Sequence, residues 1–285
     1  RLGSFDVVYI HLWVTPFGPP IFEWLYCKLS KKIVYDIDDL IYLGKASDSN
    51  AWVSKLKGKN KPLYLMKHSN QVITTTPYLI DFCKKYNAEV IGIPPSFNEK
   101  LIFPIECKSN DKITIGWSGS QSTLKYLDIV VSALRKVSSQ FDLKLIVFGV
   151  NTYSISGVEV ETVPWSREIE NEIFNRMDIA IYPLKEEEWS QGKYGGKLIQ
   201  YFAAGLPVIA SNANDIMSEV IQNHENGLLV DSEEDWVEKL ALLINDQDFR
   251  KRLGENARKT ALKYYSIEAN KNTYLDILNR VADMD

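Results

Sequence analysis

Ten short runs rich in valine, isoleucine and tyrosine, with stretches of helical period between them, constrain this chain more than any other feature. They are Val7–Leu12, Lys32–Ile37, Gln71–Thr75, Val90–Ile93, Ile113–Ser118, Leu143–Phe148, Val158–Val163, Ile179–Tyr182, Pro207–Ala210 and Gly227–Val230. Between them, TLKYLDIVVSALRKV and SREIENEIFNRM carry apolar residues at spacings of three and four, the period of a one-sided helix. Ser122 or Thr123 is the expected N-cap of the first, and Ser166 of the second. Strand–helix alternation of this kind predicts parallel sheets covered by helices on both faces, the doubly wound α/β class. At 285 residues and 45% apolar content, the chain is long enough for two cores. A boundary is expected within PPSFNEKLIFPIECKSND (94–111), where three prolines and a polar tail interrupt the pattern. That gives a Rossmann-like domain over 1–102, a second over 103–265, and a terminal amphipathic helix over 266–285, free to pack back on the first. Two such units facing each other would form a cleft, where ligands of open α/β sheets bind.

No apolar run approaches the roughly 18 residues of a spanning helix, and no signal peptide precedes the first strand. Cys27, Cys83 and Cys107 are far apart and lack metal-ligand spacing, so reduced core thiols and a cytoplasmic location are expected. The chain starts at Arg1 and enters a strand almost at once, which suggests a missing amino-terminal segment. Residues 1–102 hold 13 Lys and Arg against 9 Asp and Glu, a net of +4, whereas the remainder holds 20 against 28, a net of −8. The densest basic cluster is Lys55, Lys57, Lys59, Lys61 and Lys67. It reads as a solvated connector or as a peripheral contact with an anionic membrane or lipid-linked acceptor; no nucleic acid is expected.

Three stretches can carry chemistry. In ITIGWSGSQSTLKYL a strand ends at Gly116, and Ser118, Gly119 and Ser120 lead to a helix start. Amides and a helix dipole there suit an anion, with glycines admitting phosphate close to the backbone. The match to a dinucleotide fingerprint is incomplete, and a plain tight turn reads equally well. QGKYGGKLIQYFAAG follows another strand, with Lys193, Gly195, Gly196 and Lys197 before a helix that Gly205 should terminate. A phosphate loop of the Walker type fails at Gln191 and Leu198, but uncapped amides and two point charges remain. IVYDIDDLIY places Asp36, Asp38 and Asp39 at a strand end, and His11 ends the preceding strand. These carboxylates read as loop caps or, taken as a D-x-D pair, as the metal-binding carboxylates of another class of enzymes. His68 and His224 read as solvated, and no metal site is built from histidine and cysteine.

The second half resembles the group 1, family four glycosyltransferases of the GT-B fold. VPWSREIENEIFNRMDIAIYPL, KLIQYFAAGLPVIAS and HENGLLVDSEEDWVEKLALLINDQDFRKRLGENARKTALKYYS carry the likeness in order over about residues 112–285. Residues 1–102 match more loosely, as the latter part of an acceptor domain. The resemblance implies retaining, metal-independent transfer of a sugar from a nucleotide donor to an acceptor hydroxyl, in polysaccharide or glycolipid synthesis. It implies donor contacts from Gly116, Ser118, Gly119, Ser120, Trp165, Lys193, Tyr194, Gly195, Gly196, Lys197 and Gln200. Many members carry two glutamates where this chain has Gly192 and Gln200, and Asp38 stands where many carry a histidine. Catalytic roles on the acceptor side fall to Asp38, Asp39 or His11, with the leaving phosphate as an alternative base. A non-catalytic relative that binds nucleotide sugar is the second reading. A Rossmann dehydrogenase is disfavoured, because no stretch supplies the glycine fingerprint with its downstream acid.

Overall fold

The computed structural model describes residues 1–43, 58–104 and 112–284. It divides into two units, each built on one parallel sheet. All ten expected strands form, with ends within one residue of the expected positions.

The first unit comprises Arg1–Pro95, Gln191–Tyr194 and Asn270–Asp285. Its strands β1 (Val8–His11), β2 (Ile33–Ile37), β3 (Gln71–Thr74) and β4 (Val90–Gly92) lie side by side in chain order. They are joined through α1 (Ile21–Leu29), α2 (Asn60–His68) and α3 (Pro77–Lys84). Every residue of β2 is buried, so its two faces need separate cores. Ile33, Tyr35 and Ile37 pack with Ile10, Leu65, Met66 and Val72 on one face. Val34 and Ile73 pack with Ile277 and Val281 of the carboxyl-terminal helix, Ile267–Ala282, on the other. Lys32 Nζ donates to the Ala282 carbonyl at 2.9 Å, and Arg280 donates to the Gln71 side chain. Cys27 and Cys83 are free thiols, whereas Cys107 lies outside the described residues.

The second unit comprises Ser96–Ser190 and Gly195–Ala269. Its strands are β5 (Ile113–Ser118), β6 (Leu143–Phe148), β7 (Glu159–Val163), β8 (Ile179–Tyr182), β9 (Val208–Ser211) and β10 (Leu228–Val230). Their spatial order is β10-β9-β8-β5-β6-β7. The chain therefore reverses direction across the sheet between β5 and β8, and ligands of such sheets bind at the carboxyl ends of strands at that point. Helices α4 (Val131–Ser138), α5 (Glu170–Asn175), α6 (Gly196–Ala204), α7 (Asp215–Val220), α8 (Glu233–Asn245) and α9 (Gln247–Tyr264) cover it. Ser232 and Asp235 form a capping box at α8, and Asp246 caps α9. Gly205 ends α6 in the left-handed conformation at φ 77°. A Cβ on Gly254 of α9 would lie 2.1 Å from the Gly205 carbonyl, so α9 passes α6 with backbone nearly in contact.

Two helix starts differ from expectation. Thr123 precedes a 3₁₀ segment, Leu124–Ile129, and the α-helix begins only at Val131. Ser166 caps nothing: its hydroxyl bonds the Glu168 carboxylate, and α5 starts four residues on, at Glu170.

Candidate active site

In the second unit, β5 delivers Ser118, Gly119 and Ser120 to the switch point. The Ser118 amide donates to the Tyr201 hydroxyl of α6 at 2.6 Å, which ties the strand end to that helix. Ser118 Oγ is sealed from solvent and has no hydrogen-bond partner among the described residues. Gly149, at φ 110°, brings its loop against Gly119: a Cβ there would stand 1.9 Å from the Gly119 carbonyl. Ser120 closes a local turn, its amide donating to Thr123 Oγ1 at 3.0 Å. Gly116 has a different explanation from phosphate approach. It lies inside β5, and the Met177 side chain fills the space above it, with Sδ 2.0 Å from where a Cβ would be. Trp165 is exposed after β7.

Helix α6 begins beside this strand end. Gly195 occupies its N-cap position at φ 85°, so no side chain caps the first turn. Gly196 is exposed, with nothing within 4 Å of a Cβ placed on it. Lys197 Nζ pairs with Glu170 Oε1 at 3.0 Å. One turn on, Gln200 Oε1 is buried and has no hydrogen-bond partner among the described residues.

Residues 191–194 group with the first unit. Lys193 Nζ pairs with Asp39 Oδ2 at 2.9 Å, and Tyr194 is half-buried. At Gly192 a Cβ would stand 2.4 Å from Leu40 Cγ, so a longer side chain cannot be seated there without moving Leu40.

At the carboxyl ends of β1 and β2, His11 stands opposite Asp36 in the register. The Tyr9 hydroxyl donates to Asp36 Oδ2, and His11 Nδ1 lies 3.9 Å from the same oxygen. Burial pushes the Asp36 carboxyl above its usual range, while the Tyr9 bond and the His11 charge pull it back. Burial, followed by the bond to Asp36, holds the Tyr9 phenol well above its ordinary value. Asp38 is exposed, and its charge, with that of Asp36, adds to the burial that pushes Tyr274 to about 12. Asp39 is already engaged, accepting from the Leu40 amide at 2.7 Å as well as from Lys193. Among the described residues, no group of three His, Cys, Asp or Glu side chains is placed to hold a metal ion.

The structure thus brings together His11 and Asp36, and separately Asp39 and Lys193. Sequence reasoning missed Tyr9, Tyr201 and Glu170. Tyr9 was recoverable, because strand alternation puts it on the same face as His11.

The family described as Glycosyl transferases group 1 matches residues 98–260. The chain belongs to this family. It is 23% identical over 275 residues to the capsular polysaccharide biosynthesis glycosyltransferase CapM of Staphylococcus aureus, covering 89% of this chain and 67% of that protein. Among solved structures it is similar to the sucrose-phosphate synthase of Thermosynechococcus elongatus, at TM-score 0.71 and 16% identity, covering 98% of this chain and 74% of the other. A glycosyltransferase from Rickettsia africae aligns at TM-score 0.73 and 15% identity over 99% and 78% of the two chains. HepE of Anabaena, solved in complex with UDP, aligns at TM-score 0.66 and 14% identity over 92% and 75%. At such identities the structural likeness speaks for the fold, which is GT-B, and the family match makes this chain a group 1 glycosyltransferase.

Proposed function

We propose that this glycosyltransferase moves a sugar from a nucleoside-diphosphate sugar to a carbohydrate or lipid-linked acceptor hydroxyl, with retention and without a metal ion, as a member of family four. The observation that carries the donor reading is the pair of orphaned buried atoms, Ser118 Oγ and Gln200 Oε1, beside the uncapped start of α6. Buried polar atoms without partners are costly, and a ligand that hydrogen-bonds both would remove that cost. The uncapped amides and the helix dipole favour a diphosphate in the same place. Lys197 is the second unit's cation there, and a diphosphate offers it more negative charge than Glu170 does. Charge building on the departing diphosphate is then met by donors already in position.

On the acceptor side the carboxylates are not equivalent. Asp39 is held by Lys193, and Asp36 is buried and shares its oxygen with Tyr9. Asp38 is the exposed one, and in this reading it meets the acceptor hydroxyl, with His11 beside Asp36 positioning the sugar. Lys193 serves the site by neutralising Asp39. Titration calorimetry with UDP and GDP tests the division of labour between the lysines. Lys197→Ala is expected to weaken binding about tenfold or more, the worth of one charge-assisted hydrogen bond, and Lys193→Ala less. Equal affinity in wild type and Lys197→Ala would remove Lys197 from the donor site.

A further inference from the structure

The loop that leaves β8, residues 183–190, is fastened at both ends by uncharged groups. The Leu184 amide donates to Ser211 Oγ, at the end of β9, at 3.1 Å. At the far end the Glu187 amide donates to Ser190 Oγ at 3.0 Å, and Asn214 Nδ2 donates to the Ser190 carbonyl at 2.5 Å. The side chains packed with this loop come from three adjoining strand ends. Tyr126 follows β5, Tyr182 and Leu184 end β8, and Ala213 follows β9, with Trp189 against them. This is the carboxyl edge of the sheet, at the point where the chain reverses direction and ligands bind. None of these residues belongs to the first unit or to its basic cluster, of which Lys61 is buried and Lys55 and Lys57 lie outside the described residues.

The half-buried Glu187 carboxylate adds a negative charge that the loop's fastening does not use. Its Oε1 accepts from the hydroxyl of Tyr126, which is buried. Burial, followed by that bond, holds the Tyr126 phenol above its ordinary value, so it stays a donor and fixes the direction of the carboxylate. Among the described residues the partner of this carboxylate is Tyr126 and not a cation. Lys125 stands over the Tyr126 ring instead, 5.4 Å from its centroid. A side-chain amide would accept the same bond without setting a negative charge beside a diphosphate. Trp189 stacks on Tyr126, with ring centroids 5.9 Å apart, and gives the carboxylate an aromatic neighbour. The sealed, unpartnered Ser118 Oγ stands at the same strand end. Tyr182 joins the two places: it packs with Tyr126 and acts on the hydroxyl of Tyr201, which accepts from the Ser118 amide.

We infer that Glu187 determines which donor sugar is accepted, its carboxylate taking hydroxyl protons of a neutral hexose that lies against Trp189. This rests on the donor reading above and supplies what that reading leaves open, the kind of sugar. An ionised carboxylate is the stronger acceptor for a hydroxyl, by about twofold over a neutral one. It is also a poor neighbour for a second anion, so a hexuronate is disfavoured. An aromatic wall with a few placed polar groups suits a ring that is apolar on its C–H face and polar at its rim.

Titration calorimetry of the full chain with UDP, GDP, UDP-glucose, UDP-N-acetylglucosamine, UDP-glucuronate and GDP-mannose tests it without an acceptor. Glu187→Gln keeps an oxygen for Tyr126 and removes the charge. It is expected to weaken the best-binding neutral nucleotide sugar about five- to tenfold, the difference between a charged and a neutral acceptor. Affinity for the matching nucleoside diphosphate should hold or rise slightly, because a negative charge near the phosphates is gone. Glu186→Gln, at the exposed neighbouring acid, should leave both affinities unchanged. Thermal unfolding by circular dichroism checks that both variants fold. A Glu187→Gln variant that weakens diphosphate and nucleotide sugar alike, or neither, would overturn the inference while leaving the donor reading in place. The same loss from Glu186→Gln, or wild type that prefers UDP-glucuronate to every neutral sugar, would overturn it too. Wild type that binds neither UDP nor GDP would overturn the donor reading, and this inference with it.

Discussion

Replacing Lys61 by methionine should unsettle the first unit more than its place in a lysine-rich segment suggests. Lys61 and Glu23 have no solvent exposure. Lys61 also donates to Thr15 Oγ1, and the Thr15 amide donates to Glu23 Oε1 at 3.2 Å. Glu23 Oε2 lies near the ammonium but outside hydrogen-bonding geometry, so charge pairing is its compensation. Lys61→Met keeps the aliphatic stem and removes the charge, leaving a buried carboxylate with only Thr15 against it among the described residues. Breaking one partner of such a pair costs about 3–5 kcal/mol, whereas replacing both by apolar residues of similar size is close to neutral. For a unit of this size that is roughly 12–20 °C in its unfolding transition. Differential scanning calorimetry of Lys61→Met, Glu23→Leu and the double variant should give two strongly destabilised singles and a double near wild type. Single variants within about 0.5 kcal/mol of wild type, or a double as unstable as the sum of the singles, would refute the claim that the pair is a coupled buried unit.

Two further outcomes follow from the site. Asp36 has its folded pKa raised, chiefly by burial, so its contribution to stability is fully present below the ordinary carboxylate range and is lost as pH rises through the raised value. Asp36→Asn should therefore match or exceed wild-type stability near neutral pH and lose that advantage in acid, as read from urea unfolding at both; an advantage that grows in acid would reverse the sign. Gly192→Ala should destabilise by about 1–3 kcal/mol because the new methyl meets Leu40. Leu40→Ala in the same chain should make that substitution nearly free; a Gly192→Ala cost unchanged in the Leu40→Ala background would show that Leu40 is not the obstacle.

The sheets were legible because each strand is a β-branched run bounded by turn residues, a local signal. The helix starts at Thr123 and Ser166 were less so. A serine can bond a nearby carboxylate, as Ser166 does with Glu168, instead of capping. Unit membership was harder still. The first unit ends at Pro95 and takes in residues 191–194 and 270–284, through contacts distant in sequence such as Gly192 with Leu40 and Ile277 with Val34. The same limit hid the lysines' partners. Lys61 reads as part of a solvated basic run, yet it shares a helical face with Leu65 and is buried with it. Gly116 looked like a phosphate position and serves instead to seat Met177, a residue 61 positions away. The glycines of 192–196 divide in the same manner: Gly192 accommodates Leu40, Gly195 supplies a left-handed turn, and Gly196 alone faces open space.

The proposed reaction is transfer of a sugar from a nucleotide donor with retention and without a metal. Proton NMR of the chain incubated in excess chelator, with the tightest-binding nucleotide sugar and a panel of sugar and polyprenol-phosphate-sugar acceptors, addresses it most directly. Release of nucleoside diphosphate together with a new anomeric signal of the donor's own configuration is expected. Tight donor binding with no turnover on any acceptor, an inverted product, or turnover that returns only with added divalent metal would contradict it.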